Sequence, residues 1–180
     1  MSSDGVLAPE SPPDLNELVA RLFQQHARSI CAYLHSLVND WELAHDLMQE
    51  SYLRLHESRD RLPAVDNQRA WLYRIATNLA LNERKRRKRF RWLPWHQAAT
   101  TAAFVWHGME STLQSSTTIQ HALAQLPTDY RIPLLLYSSY GFSVREIATT
   151  LELSESAVKV RLHRARERFR QLYTQEMSDE

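Results

Sequence analysis

Glycine is scarce in this chain, with three residues in 180. A loop that cradles a nucleotide phosphate needs glycines close together so that backbone N–H groups can approach the anion, and none is present. A single cysteine, Cys31, excludes an internal disulfide and suits a reducing cytoplasm. No apolar run approaches the roughly eighteen residues needed to cross a bilayer as a helix, so no stable membrane insertion is expected. The scattered histidines (His26, His45, His56, His96, His107 and His121) accompany no nucleophile or ligand constellation. Neither an enzyme nor a metal or other cofactor is therefore expected. The opening MSSDGVLAPESPPD lacks the basic start and apolar stretch of a signal peptide, and residues 1–13 read as a disordered leader.

What is present is helical. Hydrophobic residues make up 43% and charged residues 24%, a balance that supplies a core to a soluble globular chain. Abundant leucine at helical spacing points to an all-α fold. The net charge of +1 hides segregation: acids collect before Glu57 and bases in two later blocks. Such polarity fits a chain that meets protein with one part and nucleic acid with another.

The stretch 141–173, GFSVREIATTLELSESAVKVRLHRARERFRQLY, carries the plainest signal. Ser143 and Glu146 form a capping box that opens a short helix with Val144, Ile147, Ala148 and Leu151 on one face. Ser154 caps a second helix, and Glu155 sits well against its positive end. Leu151-Glu152-Leu153 leaves room only for a tight turn, so the two helices cross steeply as a helix-turn-helix. On the second helix Val158, Leu162, Ala165, Phe169 and Leu172 read as core. Lys159, Arg161, His163, Arg164, Arg166, Arg168 and Arg170 point elsewhere. Bases of this kind meet phosphates, while sequence reading falls to side chains near the helix N-terminus that reach the major groove. A solvated basic helix in a bundle is the plainer alternative, and the caps and turn favour DNA.

Upstream, residues 14–38 form an amphipathic helix marked by Leu15, Leu18, Val19, Leu22, Phe23, Ile30, Tyr33, Leu34 and Leu37. Cys31 and His35 stand four apart, but no second pair accompanies them, and a lone buried thiol beside a surface histidine is the commoner arrangement. The next helix, about 40–58, buries Ala44, Leu47, Met48, Leu53 and Leu55 and shows an acidic and polar edge of Glu42, Asp46, Gln49, Glu50 and Arg54. From composition alone that edge is equally a solvated face. Residues 60–68, with Pro63, read as a loop. A helix over 67–88 follows, with Trp71, Leu72, Ile75, Ala76 and Leu79 as its buried stripe and Arg69, Arg74, Asn78 and Asn82 on other faces. It ends in Arg84-Lys85-Arg86-Arg87-Lys88-Arg89, a block that repels itself without a polyanion. Aromatic and amide groups beside such a block suit unstacked bases.

Residues 90–116 form a linker with Trp92, Trp95, Phe104 and Trp106, too aromatic for a plain spacer. It packs on a domain, lies in a protein partner or touches a membrane surface, with packing or a partner favoured. Ile119, Ala122, Leu123 and Leu126 then mark a short helix ending at Pro127. Another helix covers 128–140, its first turn expected to be distorted by Pro133. Both are expected to pack beneath the helix-turn-helix.

Three segments together resemble the extracytoplasmic-function (ECF) group of bacterial RNA polymerase sigma factors. They are HDLMQESYLRL, RAWLYRIATNLALNERKRR, and the stretch from ALAQLP through EIATTLELSESAVKVRLHRARERF. The resemblance implies an N-terminal sigma domain over 14–89, a linker over 90–116 and a C-terminal helix-turn-helix domain over 117–175. It implies that Asp46, Gln49, Glu50 and Arg54 grip core RNA polymerase. It likewise implies contacts to the start-proximal promoter element from Arg74, Asn78, Asn82, Arg84, Lys85 and Arg86, with the loop 61–70 capturing a flipped base. Ser156, Lys159, Val160, Arg161, His163 and Arg164 match the region that reads the upstream element. Val160 and His163 depart from a typical reading pair, so promoter preference does not transfer. An external anti-sigma factor is the implied control. The rival reading, a free-standing DNA-binding regulator, needs neither the acidic edge nor the loop before Trp71.

Overall fold

The computed structural model describes residues 14–90 and 117–179. The leader and the tryptophan-rich stretch 91–116 lie outside the described residues. Helix α1 (Leu15–Val38) begins where the Asp14 carboxylate accepts the Asn16 N–H at 2.9 Å. It ends at Asn39, whose left-handed backbone (φ 54) returns its N–H to the His35 carbonyl. Asparagine tolerates that conformation better than most residues. Asp40 follows at once and caps α2 (Trp41–Glu57) through the Leu43 N–H at 3.1 Å. Two adjacent capping residues thus turn the chain back on itself, and the His35 and Trp41 rings stack across the corner with centroids 3.8 Å apart.

Arg59–Ala64 forms a 3₁₀ turn where a loop was expected. Pro63 and the neighbouring polar residues look like loop material, but Leu62 is fully buried and pins the turn to the core. The Asn67 side chain then accepts the Ala70 N–H at 2.8 Å and opens α3 (Gln68–Phe90). Helices α1, α2 and α3 pack together around Ile30, Leu34, Leu55, Leu72 and Ala76. Inside this core the Tyr33 hydroxyl meets the Thr77 hydroxyl at 2.7 Å, and Thr77 donates to the Tyr73 carbonyl at 2.7 Å. Their polar atoms are thereby spared the cost of burial without a partner.

Two residues read as core are exposed: Phe23 at 41% and Leu53 at 61%. Phe23 still leans edge-on against Tyr52, with ring centroids 4.4 Å apart. Trp71 and Ile75 are half-buried. Cys31 is also half-buried, and His35 is no free surface histidine, being stacked on Trp41.

The second half comprises α4 (Thr117–Gln125), α5 (Thr128–Ser138), α6 (Val144–Leu151) and α7 (Glu155–Asp179). Helix α5 runs past Pro133 without interruption, so the expected distortion does not break it. It stops in a turn where Gly141, at φ 65, supplies the left-handed residue and the Phe142 N–H returns to the Leu136 carbonyl at 2.9 Å. Phe142 is thereby driven inward, to 2% exposure. The Ser143–Glu146 capping box forms as read from the sequence. Glu152, at φ 55, makes the tight turn, and Ser154 caps α7 through the Ala157 N–H at 3.2 Å. Helices α4 and α5 pack on α7 through Ala122, Leu126, Leu134, Ala165 and Leu172.

The two halves meet. One apolar cluster runs from α1 and α3 into Ile132, Leu136, Phe142 and Ile147. Arg131, 7% exposed, donates to the Ser36 carbonyl of α1 and the Leu126 carbonyl after α4, each at 3.2 Å. A buried cation without a carboxylate is costly, and here the negative ends of two helices receive it.

Candidate nucleic-acid interface

Helical spacing places Asp46, Gln49, Glu50 and Arg54 along one edge of α2, clear of the other helices. Arg54 Nε donates to Glu50 Oε1 at 2.8 Å, and Gln49 approaches His45 Nδ1 at 3.4 Å. Leu53 emerges on this edge, four residues beyond Gln49, and lends an apolar spot to a polar stripe. Sequence reading assigned it to the core. Its signal was the i+4 spacing from Gln49, which outweighs its hydrophobicity.

The basic end of α3 is partly neutralised from within. Glu83, 9% exposed, accepts Arg86 at 2.7 and 3.0 Å and Arg87 at 3.1 Å, and Arg87 also reaches Asp40 at 3.1 Å. These bonds, Arg86 first, hold the Glu83 carboxyl below its usual range despite burial. The block's self-repulsion is therefore answered in part by two acids, and not by a polyanion alone. Arg84, Lys85 and Lys88 line a cavity of about 970 Å³ between α1, α3 and the start of α5, floored by Leu37, Val38 and Leu81.

The sequence-predicted start-proximal residues separate into two groups. Asn78, Asn82, Lys85 and Arg86 are exposed. Arg84 and Arg74 instead reach the second half, Arg84 donating to the Thr128 hydroxyl and Arg74 to the Glu152 carboxylate. Two neighbours act with them. The Asn67 amide donates to Glu146 Oε1 at 2.6 Å, and Arg69 donates to the Tyr140 carbonyl with its guanidinium 4.2 Å from the Phe142 ring centroid.

At the start of α7, Ser156, Lys159, Val160, His163 and Arg164 are exposed and Arg161 is half-exposed. His163 lies 3.6 Å from Glu167, whereas no ion pair holds Lys159 or Arg164 among the described residues. Farther along, Arg166 covers the Tyr137 ring at 5.0 Å. Small residues and one apolar side chain (Val160, 50% exposed) near the capped end leave an approach for a groove edge. Among the described residues no group of three or more His, Cys, Asp or Glu could hold a metal ion, and no helix is long and apolar enough to cross a membrane.

A helix-turn-helix with an open recognition face, joined to a helical first half that ends in a basic block, defines a DNA-binding transcription protein. Comparison with known proteins makes this specific. Sigma-70 region 2 matches residues 22–90, and Sigma-70, region 4 matches residues 116–169. The ECF RNA polymerase sigma factor SigL of Mycobacterium tuberculosis is 32% identical over 151 residues, covering 82% of this chain and 84% of SigL. SigW of Bacillus subtilis, also an ECF RNA polymerase sigma factor, is 30% identical over 137 residues, covering 71% of this chain and 73% of SigW. The sigma factor RpoE, solved with the anti-sigma factor NepR from Bartonella quintana, shares the fold with a TM-score of 0.72 at 23% identity, covering 88% of this chain and 98% of RpoE. The chain belongs to the ECF RNA polymerase sigma factors, which initiate transcription without catalysis of their own. Its partners are core RNA polymerase and promoter DNA.

Proposed function

We propose a division of labour among three surfaces. The α2 edge (Asp46, Gln49, Glu50, Arg54) binds core polymerase, and Leu53 adds apolar contact at its centre. The turn 61–70 and α3 (exposed Asn78, Asn82, Lys85 and Arg86, with Arg74 and Arg84 beside the second half) bind the start-proximal promoter element and hold an unpaired strand. The start of α7 reads the upstream element, with Ser156, Lys159, Val160, His163 and Arg164 toward base edges and Arg161 toward phosphate. The observation that carries this reading is the coincidence of each exposed polar surface with a matched sigma-70 region. Amide and basic groups suit unstacked bases and phosphates, while a capped helix start suits the major groove.

Work inside the cell beside polymerase makes the cytoplasm the site of action. An anti-sigma factor that covers both halves supplies the control. The test is gel filtration of the purified chain with bacterial core polymerase, followed by transcription from a pool of genomic fragments. Co-elution with discrete new start sites is expected. A chain that ignored polymerase yet bound specific duplex DNA alone would be a free-standing regulator instead.

A further inference from the structure

Leu81, Arg84, Lys85 and Lys88 recur at three- and four-residue spacing and so form one stripe along α3. The stripe walls the cavity of about 970 Å³, with Leu37 and Val38 beneath it and Thr128 across from it. Thr128 opens α5, and Pro127 before it supplies no side-chain cap, so the positive end of that helix is left without a capping oxygen. Asp129, in the same turn, lines instead the separate cavity beside Ser156 and Arg164. One turn farther along α5, the buried Arg131 keeps an Nε with no hydrogen-bond partner, and the Arg84 charge opposes its own. Among the described residues no carboxylate pairs with Arg84, Lys85, Lys88 or Arg131, because Glu83 and Asp40 are taken by Arg86 and Arg87. Positive charge from two helices thus surrounds an apolar floor without an answering anion.

We propose that this cavity is a binding site for a nucleoside di- or triphosphate, with Arg84, Lys85 and Lys88 on the phosphates and Leu37, Val38 and Leu81 against the nucleoside. Its volume lies within the ~300–1,000 Å³ of small-molecule sites, which combine an apolar lining with a few converging polar groups. Arginine meets phosphate as a planar fork and lysine as a point charge, and several bases together match a polyphosphate better than a single carboxylate. An anion beside Arg84 also offsets its repulsion of Arg131, lowering the cost of that buried cation. The apolar floor distinguishes such a ligand from a nucleic-acid backbone, whose phosphates would use the bases and leave Leu37, Val38 and Leu81 uncovered. Arg84 and Lys85 are shared with the start-proximal surface, so nucleotide and promoter strand compete for them. The site itself stands on the cavity and does not rest on the assignment of that surface to DNA.

The full chain is titrated by isothermal calorimetry with ATP, AMP and inorganic triphosphate, each without magnesium. Saturable one-to-one binding of ATP is expected, tighter than that of AMP, which lacks the added charge, or of triphosphate, which lacks the apolar part. Lys88→Ala, at an exposed base, is expected to weaken ATP and triphosphate alike by about 3- to 5-fold. Val38→Trp fills the floor and is expected to abolish the advantage of ATP over triphosphate. Leu81→Gln removes apolar contact without adding bulk and is expected to reduce the same advantage, which keeps the test valid if the tryptophan variant does not fold. Arg170→Ala, at an exposed base on α7, controls for net charge and is expected to change nothing. Absence of ATP binding would overturn the proposal. So would equal affinity for ATP and triphosphate, an equal loss from Arg170→Ala, or an undiminished ATP advantage in both floor variants, any of which would make the stripe a contact for phosphate alone.

Discussion

Asn67 and Glu146, 79 positions apart, are joined by a 2.6 Å hydrogen bond that ties the residue capping α3 to the first turn of α6. Glu146 simultaneously accepts the Ser143 N–H at 2.7 Å, so one carboxylate closes a local cap and a long-range contact. Glu146→Ala is accordingly expected to cost about 1–2 kcal/mol, more than Ser143→Ala at about 1 kcal/mol. Urea unfolding of both variants checks the order. Reversal would mean that the bond to Asn67 contributes nothing. The Glu146 carboxyl is held below its ordinary 4.5, chiefly by the Ser143 N–H and hydroxyl. Its contribution is thus present above pH 4.5 and is lost as pH falls through the depressed folded value.

Arg131 invites the opposite test, removal of a buried charge. Its guanidinium joins the ends of α1 and α4, and burial first, then Arg84, disfavour its charge. Arg131→Met keeps much of the bulk but abandons two carbonyls at helix ends. A loss of about 2–4 kcal/mol is expected from the unpartnered acceptors and lost packing. Chemical denaturation measures it, and a change below about 0.5 kcal/mol would reduce Arg131 to a bystander.

Local chemistry made most of the helices readable. Asp14, Asp40, Ser143 and Ser154 each stand one residue before a helix start, and apolar spacing marks the inward faces. Ser143 with Glu146 even disclosed the capping box. The turn 59–64 was not readable, because Leu62 alone anchors it and its neighbours have loop composition. Leu53 misled because hydrophobicity is a property of the residue, whereas burial depends on which neighbours cover the face. The roles of Asn67, Arg69 and Arg74 at the seam depend on partners at Tyr140, Glu146 and Glu152, more than 70 positions away. No period of 3.6 residues carries that information.

For the polymerase surface, Leu53 separates stability from binding. At 61% exposure its truncation removes little buried area, so Leu53→Ala should change folding stability by less than about 0.5 kcal/mol. An apolar contact at the centre of an interface is worth more than that, and core-polymerase affinity should fall about 5-fold or more. Paired Asp46→Ala and Gln49→Ala should reduce polymerase binding on any promoter. Unaltered affinity in the Leu53 variant would confine the interface to the polar residues.

The recognition helix gives a prediction about sequence and not strength. Arg164 is exposed beside Val160 near the start of α7 and is held by no ion pair among the described residues. Arg164→Ala should weaken use of the upstream element by ~1–3 kcal/mol and relax preference at one position if it meets a base edge. Transcription from promoters randomised in that element would show it. Uniform weakening across all sequences would instead make Arg164 a phosphate contact.

Acid should loosen the first half before it protonates the carboxylates. Burial lowers His26, aided by Arg69, and burial lowers His35 against the opposing pull of Asp40. Each is therefore favoured as the neutral ring in the folded chain, while the unfolded chain takes up a proton near the ordinary 6.5. Their contribution is fully present above pH 6.5 and is lost as pH falls through the lowered folded values. Melting temperature should begin to drop below pH 6.5, ahead of the fall due to Glu146, Glu83 and Asp40. His35→Phe preserves a flat ring against Trp41 and His26→Gln retains a polar group beside Arg69, so together they should flatten the first fall and leave the second. A first fall of undiminished size in the double variant would assign it to groups outside this pair.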